Sequence, residues 1–170
     1  MGVCSLTTGL FQSLRFGKKG GHDRHLVREL IAEFAPGEVI VGDRGLCSFA
    51  DSCLVRQREV ECVVRSLNRK PAYQTGQRLG KRDHLVDWPT PKARPAGMSP
   101  EEYTALPAKL RVRAVRMVVE QNGLRSKTLE IVTTLFDAKM YTTEAIASLD
   151  RRRWSLELHF RHIKTTLGME

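Results

Sequence analysis

The order of secondary-structure patterns in the first 67 residues constrains the fold more than any other feature of this sequence. Two alternating segments come first, and apolar residues at helical spacing follow them. The predicted elements are, in order, a hairpin over residues 2–16, a helix over 22–34, a strand over 39–41, a helix over 48–58 and a strand over 60–67. Such alternation is typical of an α/β sheet with at least one parallel pair of strands.

The rest of the chain divides into an irregular part and two regular elements. Residues 68–110 hold six of the seven prolines, which predicts an insertion with irregular or short-strand structure. The elements predicted beyond it are a hairpin formed by residues 110–120 and 128–135, and a long helix from Thr142 or Thr143 to about Leu167.

The positive charge of the chain lies almost entirely in its middle. The net charge is +9, and residues 65–127 hold 14 Lys and Arg against 5 Asp and Glu, whereas the flanking segments are balanced. This distribution indicates a polyanionic partner such as nucleic acid. Arg111, Arg113 and Arg116 are predicted DNA contacts if their side chains face outward. A solvated basic surface without a partner is the alternative.

The four cysteines and the absence of long apolar runs limit the class of protein. Cys4, Cys47, Cys53 and Cys62 show no C-x2-C pairing, so reduced and mostly buried thiols are predicted, as in a cytoplasmic protein. No apolar run reaches transmembrane length, which leaves nucleic acid rather than a membrane as the partner of the basic segment.

The predicted last helix carries a narrow stripe of charged residues. Asp150, Arg153, Glu157 and Lys164 are spaced 3, 4 and 7 residues apart, which places them on one line of an α-helix beside an apolar face. Glu157 therefore lies at the edge of the buried face, where a carboxylate can point into a site. An exposed ladder of ion pairs along an amphipathic helix explains the same spacing.

Asp43 is the second candidate carboxylate, because it follows a predicted buried strand. Open α/β sheets place ligands at the carboxyl ends of their strands. Asp43 and Glu157 brought together are suited to bind divalent metal, and Mg2+ prefers oxygen ligands of this kind. Taken alone, Asp43 is equally explained as a turn residue that caps Gly45.

Three separated segments resemble the insertion-sequence family-four DDE transposases of bacteria. Arg153, Glu157 and Lys164 match the R-x3-E-x6-K part of that family's Y-x2-R-x3-E-x6-K signature, and the whole run RRRWSLELHFRHIKTTLGM is similar to its signature helix. The other two segments are VGDRGLCSF, similar to the strand and turn of the second catalytic Asp, and GQRLGKRDHLVDWPTPKARP, similar to part of an insertion.

The resemblance implies a fold, a reaction and site residues. The implied fold is a ribonuclease H-like mixed sheet with flanking helices, divided into residues 1–67, a basic β-rich insertion over 68–135, and 136–170 with the signature helix. The implied reaction is metal-dependent cleavage and transfer of DNA strands, with two Mg2+ or Mn2+ ions in the intact enzyme.

Site residues follow from the same matches. By resemblance, Asp43 and Glu157 are the second and third catalytic carboxylates and metal ligands, while Arg153 and Lys164 contact DNA phosphates. The implied partners are transposon ends and target DNA. A homodimer and pairing with a full-length transposase both stay open.

The sequence departs from the family in two places. The signature Tyr falls at Asp150, an acid that is expected to repel phosphate. The first catalytic Asp has no counterpart, since Asp23 is the only acidic residue before Glu29 and opens a predicted helix. We therefore expect a catalytic-domain fragment truncated at both ends and inactive alone. A non-catalytic DNA-binding or inhibitory remnant of a transposase is the alternative.

Overall fold

A computed structural model of the chain describes residues 2–15, 24–66, 76–95, 97–121 and 124–166. Within these ranges it does not describe the side chains of residues 14, 24–25, 119–121, 124–127, 155–157 and 159–164. The side chains of Glu157 and Lys164 belong to this second group, and their helical backbone is described.

Eight strands and four helices make up the described part of the chain. The strands are β1 (Gly2–Cys4), β2 (Phe11–Leu14), β3 (Val39–Gly42), β4 (Glu61–Arg65), β5 (Gln77–Gly80), β6 (Asp83–Pro89), β7 (Lys109–Gln121) and β8 (Leu124–Thr133). The helices are α1 (Arg24–Ile31), α2 (Phe49–Gln57), α3 (Pro100–Thr104) and α4 (Thr143–Thr166).

Six of these strands form one mixed sheet in the order β3-β4-β8-β7-β6-β5. β3 and β4 are parallel, which confirms the predicted parallel pair, and the other neighbours are antiparallel. β1 and β2 form a separate antiparallel ribbon, as the hairpin prediction expected. Because β4 pairs with β8, the sheet continues from residues 1–67 into residues 68–135, and the predicted division into three parts stays a prediction.

Local capping explains where the helices begin. The Ser48 hydroxyl accepts a hydrogen bond from the Asp51 N–H at 3.1 Å, which confirms Ser48 as the N-cap of α2. At α4, the Thr142 hydroxyl accepts from the Ala145 N–H at 3.2 Å. Both caps satisfy backbone donors that have no partner within the first helical turn.

The interval predicted to have irregular or short-strand structure contains two strands, β5 and β6, in its described part. β6 runs for seven residues and pairs with β7 along its whole length, from Asp83 opposite Val115 to Pro89 opposite Lys109. A capping box between Ser99 and Glu102 starts the short helix α3. Pro89 is the last residue of β6, and the next prolines, Pro91 and Pro95, follow it, so they end the strand rather than prevent it.

Apolar side chains cover both faces of the sheet. On one face, α1 and α2 pack on β4, β7 and β8 through a cluster that includes Val27, Val55, Val64 and Val132. On the other face, Ile146 of α4 packs with residues of β4, β7 and β8. Successive residues of a strand point to opposite faces, and this alternation divides the core into two layers. None of the helices in the described part of the chain is long and apolar enough to cross a membrane.

Candidate active site and nucleic-acid surface

β3 brings Asp43 to the end of the sheet. The Asp43 Oδ1 accepts a hydrogen bond from the Gly45 N–H at 2.8 Å and caps a short 3-10 turn, Arg44–Leu46. The residue is exposed to solvent. Asp43 therefore caps this turn, as the alternative interpretation predicted. The cap holds its exposed carboxylate at the carboxyl end of β3, where α/β sheets bind their ligands.

Gly42 allows this turn to close. A Cβ atom at Gly42 would lie 2.2 Å from Leu46 Cδ1 and 3.1 Å from Leu46 Cβ, closer than atoms in contact tolerate. The absence of a side chain at Gly42 lets Leu46 pack against the last residue of β3, next to the turn that presents Asp43.

The charged stripe of α4 faces the sheet over its first turns. Ile146 is fully buried, and Asp150 and Arg153 are 4% and 7% exposed. Glu157 follows Arg153 by four residues, so its backbone position falls on the same line of the helix. The alternative of a fully exposed ion-pair ladder is wrong for Asp150 and Arg153. The side chains of Glu157 and Lys164 lie outside the described part of the structure.

Asp43 and Arg153 line one cleft. Its volume is about 870 Å³, and its walls come from the β1–β2 ribbon, α1, the end of β3 with the following turn, and α4. Arg44 and Arg152 also line it. The Asp43 carboxylate therefore shares the cleft with three arginines. The structure therefore brings together two of the predicted site residues.

Asp150, which occupies the position of the signature Tyr, is not a surface acid. Its carboxylate accepts two hydrogen bonds from Arg65 Nε, at 2.9 and 3.2 Å, and one from Arg65 Nη2 at 2.8 Å. Arg153 Nε lies 3.5 Å from the Asp150 Oδ1. The prediction that Asp150 repels phosphate is therefore corrected, because its charge is buried and neutralised between Arg65 and Arg153.

Asp43 is the described carboxylate of this cleft that is best suited to bind metal. It offers exposed oxygen ligands of the kind that Mg2+ and Mn2+ prefer. Groups of three or more His, Cys, Asp or Glu residues arranged around one point are absent from the described residues. Asp43 therefore offers oxygen atoms that suit one position of a metal site, and the side chain of Glu157 lies outside the described residues.

Cys4 lines the cleft and provides a test of its accessibility. Burial raises the pKa of the Cys53 thiol to about 11 and that of Cys62 to about 12, and Cys47 is also buried. Cys4 is half-buried, and its pKa is raised by burial too. Because the thiolate is the reactive form, we expect iodoacetamide to modify Cys4 well before the other three thiols in the native protein.

Mass spectrometry of partly alkylated protein measures this order, and unfolding in denaturant should equalise the four rates. A Cys4→Ser variant should show almost no native labelling. Modification of Cys62 as fast as Cys4 would contradict the described burial.

The basic middle segment presents only some of its arginines to solvent. The side chains of Lys109 and Arg111 on β7 are 65% and 61% exposed, and both contact Asp87 of β6. Hydrogen bonds from Lys109 and Arg111 lower the pKa of Asp87. Arg116 is 33% exposed and donates to a carboxylate oxygen of Glu130 at 2.8 Å.

Arg113 is buried, which corrects the prediction that it faces outward toward DNA. Its Nε and Nη2 donate to the two carboxylate oxygens of Asp83 at 2.8 and 2.6 Å. Its Nη1 donates to the carbonyl oxygens of Leu135 and Tyr141 at 3.1 and 2.7 Å. Arg113 thus ties β6, β7 and the connection from β8 to α4 into one buried network.

Sequence reasoning missed this network and the Arg65–Asp150 pair because neither has a local signal. Asp83 lies 30 residues before Arg113 and Arg65 lies 85 residues before Asp150. The alternating pattern of β7 predicted a hairpin strand and did not indicate that residues 112–115 are all buried. The local signal of a buried charge was the presence of an arginine within an apolar strand, because a buried arginine requires a partner.

Comparison with known proteins identifies the class to which this fold and cleft belong. The model of the transposase DDE domain family matches residues 1–170, so the chain belongs to the DDE transposases. Within that family it is similar to the transposase InsG for insertion sequence element IS4 of Escherichia coli strain K12. The two are 26% identical over 170 residues, which cover 97% of this chain and 36% of the relative. The chain thus spans about a third of the relative's length. No solved structure matches significantly.

Proposed function

We propose that this chain supplies part of the catalytic centre of a DNA transposase that cuts and joins DNA strands at the ends of an insertion sequence. The observation that carries the proposal is the shared cleft of Asp43 and Arg153, with Glu157 one helical turn beyond Arg153. Membership of the DDE transposase family supports the class of reaction in this proposal. The fold we infer for the intact domain is ribonuclease H-like.

The proposed roles follow from charge and position. Asp43 and Glu157 are the carboxylates that would hold divalent metal, Mg2+ or Mn2+, and such ions activate an attacking hydroxyl and stabilise the leaving oxygen of a phosphodiester. Arg153 and Lys164 bind phosphates of the transposon end. Asp150 keeps Arg153 beside the cleft through the contact between their side chains. The Gly45 N–H orients the Asp43 carboxylate.

The first carboxylate of the family has no counterpart in this chain. With two ligands instead of three, metal and scissile phosphate are poorly positioned, and we infer that the 170-residue chain does not cleave DNA alone. Two features of the described residues support the proposed site. The Asp43 carboxylate is oriented, and α4 packs against the sheet.

The exposed basic residues of β7, Lys109 and Arg111, lead to a prediction for DNA binding. Affinity for duplex DNA should fall steeply with salt, because each lysine or arginine that neutralises a phosphate releases a counterion. Arg111→Glu should weaken binding and reduce the slope of log K against log salt by about 0.9 for a lost contact with duplex DNA. Fluorescence anisotropy across a salt series measures both quantities.

Glu144→Gln is the matched control, because it changes the charge by one unit at an exposed position of α4 and should not lower affinity. Affinity that does not vary with salt would exclude phosphate contacts as the basis of binding.

One experiment separates the proposed enzyme fragment from a non-catalytic DNA-binding or inhibitory remnant. The chain is placed within the remaining sequence of the E. coli relative and incubated with transposon-end DNA and Mg2+. Cleavage that requires Asp43 and Glu157 supports the enzyme. Salt-sensitive binding without cleavage in this chimeric protein supports the remnant.

A further inference from the structure

Arg65 is the last residue of β4 and lies at the same edge of the sheet as Asp43. β3 and β4 are parallel, and Gly42 lies opposite Val64. The next residues, Asp43 and Arg65, are therefore neighbours where the two strands end. Val63 belongs to the apolar layer under α4, and alternation along the strand directs the Arg65 side chain to the same face. Arg65 thus reaches α4 from the strand beside the one that presents Asp43.

Arg65 holds α4 at two points that are one helical turn apart. Its guanidinium donates hydrogen bonds to both carboxylate oxygens of Asp150, at 2.8, 2.9 and 3.2 Å. The same guanidinium lies 5.6 Å from the centroid of the Trp154 ring. Residues four apart are neighbours on one side of a helix, so both contacts act on that side. The side chains of Arg65 and Asp150 are only 19% and 5% exposed, so water competes little for the pair.

The apolar contacts of α4 define its orientation less narrowly than this pair does. Ile146 and Leu149 pack with Val63, Val115 and Ile131 of the sheet. Hydrophobic attraction is non-directional, and the packing angles of helices scatter by about 15–20° within one packing class. A guanidinium and a carboxylate joined by two parallel hydrogen bonds have a fixed planar geometry. Arg65 therefore supplies the directional contact between the sheet and this part of α4.

The orientation of α4 decides where the position of Glu157 lies. Glu157 follows Asp150 by two helical turns on the same side of α4. Side chains reach about 5–6 Å from the helix axis, so a rotation of about 20° shifts their ends by about 2 Å. Mg2+ requires near-ideal geometry with oxygen ligands at about 2.0–2.1 Å, and a shift of that size removes a ligand.

We propose that Arg65 is a positioning residue of the candidate active site. By binding Asp150 and Trp154 it sets the orientation of α4, and thereby the place of Glu157 relative to Asp43. This role explains the acid at the position of the signature Tyr, because a carboxylate offers the two oxygens that the guanidinium fork requires and a tyrosine has one. The effect on α4 follows from the contacts; the effect on metal binding rests on the proposed function.

The test measures the orientation of α4 in the whole chain without metal, using residual dipolar couplings of the backbone amides. Arg65→Lys keeps the charge but lacks the planar fork, so we expect the couplings of α4 to change relative to those of β4 and β8. Unchanged couplings within the sheet show that the variant is folded. Asp150→Asn should also reorient α4, and the double variant should add little to either single change, because both remove one interaction.

Arg78→Lys is the matched control, because it makes the same substitution at an exposed arginine of β5 and should leave α4 in place. If Arg65→Lys and Asp150→Asn both leave the orientation of α4 unchanged, the proposal is overturned.

Substoichiometric Mn2+ then links the orientation to the site. In Arg65→Lys, broadening of the amide signals of Arg44–Leu46 should persist, whereas broadening beside Glu157 should fall several-fold. Undiminished broadening beside Glu157 in a variant whose helix has reoriented would also overturn the proposal. If α4 reorients but Mn2+ broadens neither segment in the unmodified chain, Arg65 positions the helix and the proposed metal site is wrong.

Discussion

Replacing Arg113 by Glu is expected to reduce the free energy of unfolding by about 3–5 kcal/mol or more, the usual effect of breaking a buried ion pair. The side chain is fully buried, and its hydrogen bonds go to Asp83, Leu135 and Tyr141. The introduced carboxylate would face that of Asp83 and leave two carbonyl groups without this donor. Since domains are stable by only about 5–15 kcal/mol, partial unfolding of the variant is expected.

Arg111→Glu is the matched control, two residues away on the same strand. Its side chain is 61% exposed and pairs with a surface carboxylate, so the same change should alter stability by less than about 1 kcal/mol. Urea unfolding followed by circular dichroism compares the two. An Arg113→Met/Asp83→Asn double variant should recover part of the loss, because no buried charge stays unpaired. Equal midpoints for Arg113→Glu and Arg111→Glu would contradict the buried network.

We predict that the 170-residue chain neither nicks transposon-end DNA nor joins it to a target with Mg2+ or Mn2+, because under the proposed function its two carboxylates, Asp43 and Glu157, position the reacting groups poorly without a third. The same chain, placed within the remaining sequence of the E. coli relative, should cleave DNA. Asp43→Asn or Glu157→Gln should then reduce the cleavage rate by at least about 100-fold, as removal of a preorganised charge does.

Glu144→Gln serves again as control, since it lies on α4 at an exposed position and should leave the rescued rate unchanged. Gel analysis of end-labelled DNA measures each rate. Robust cleavage by the chain alone, lost on Glu157→Gln, would mean that another residue supplies the missing ligand.

The elements of the fold were predictable because their signals are local. The apolar run before Asp43, the Ser48 cap and the spacing along α4 each operate within one strand or helix, and each of these elements formed close to its predicted bounds. The resemblance to a known family allowed the class of reaction to be predicted as well. The pairing of β4 with β8 was not predictable, because it joins residues about 70 positions apart.

The site was predictable only in part, for the same reason. Asp43 and Arg153 were identified from their local context, and they do line one cleft. The burial of Asp150 and Arg113 depends on Arg65 and Asp83, which the sequence places far away. Arg113 was predicted as a DNA contact on the condition that its side chain faces outward, whereas its buried guanidinium pairs with Asp83.

The most direct test of the proposed active site is whether Asp43 and Glu157 bind the same ion. Mn2+ added to the isotopically labelled chain broadens NMR signals of nearby amides, and Mn2+ accepts the same carboxylate ligands as Mg2+. We predict that substoichiometric Mn2+ broadens amide signals of the turn after β3, Arg44–Leu46, together with those flanking Glu157 in α4, and that Asp43→Asn abolishes both effects. Broadening at one of these segments without the other, or broadening that persists in Asp43→Asn, would contradict a shared metal site.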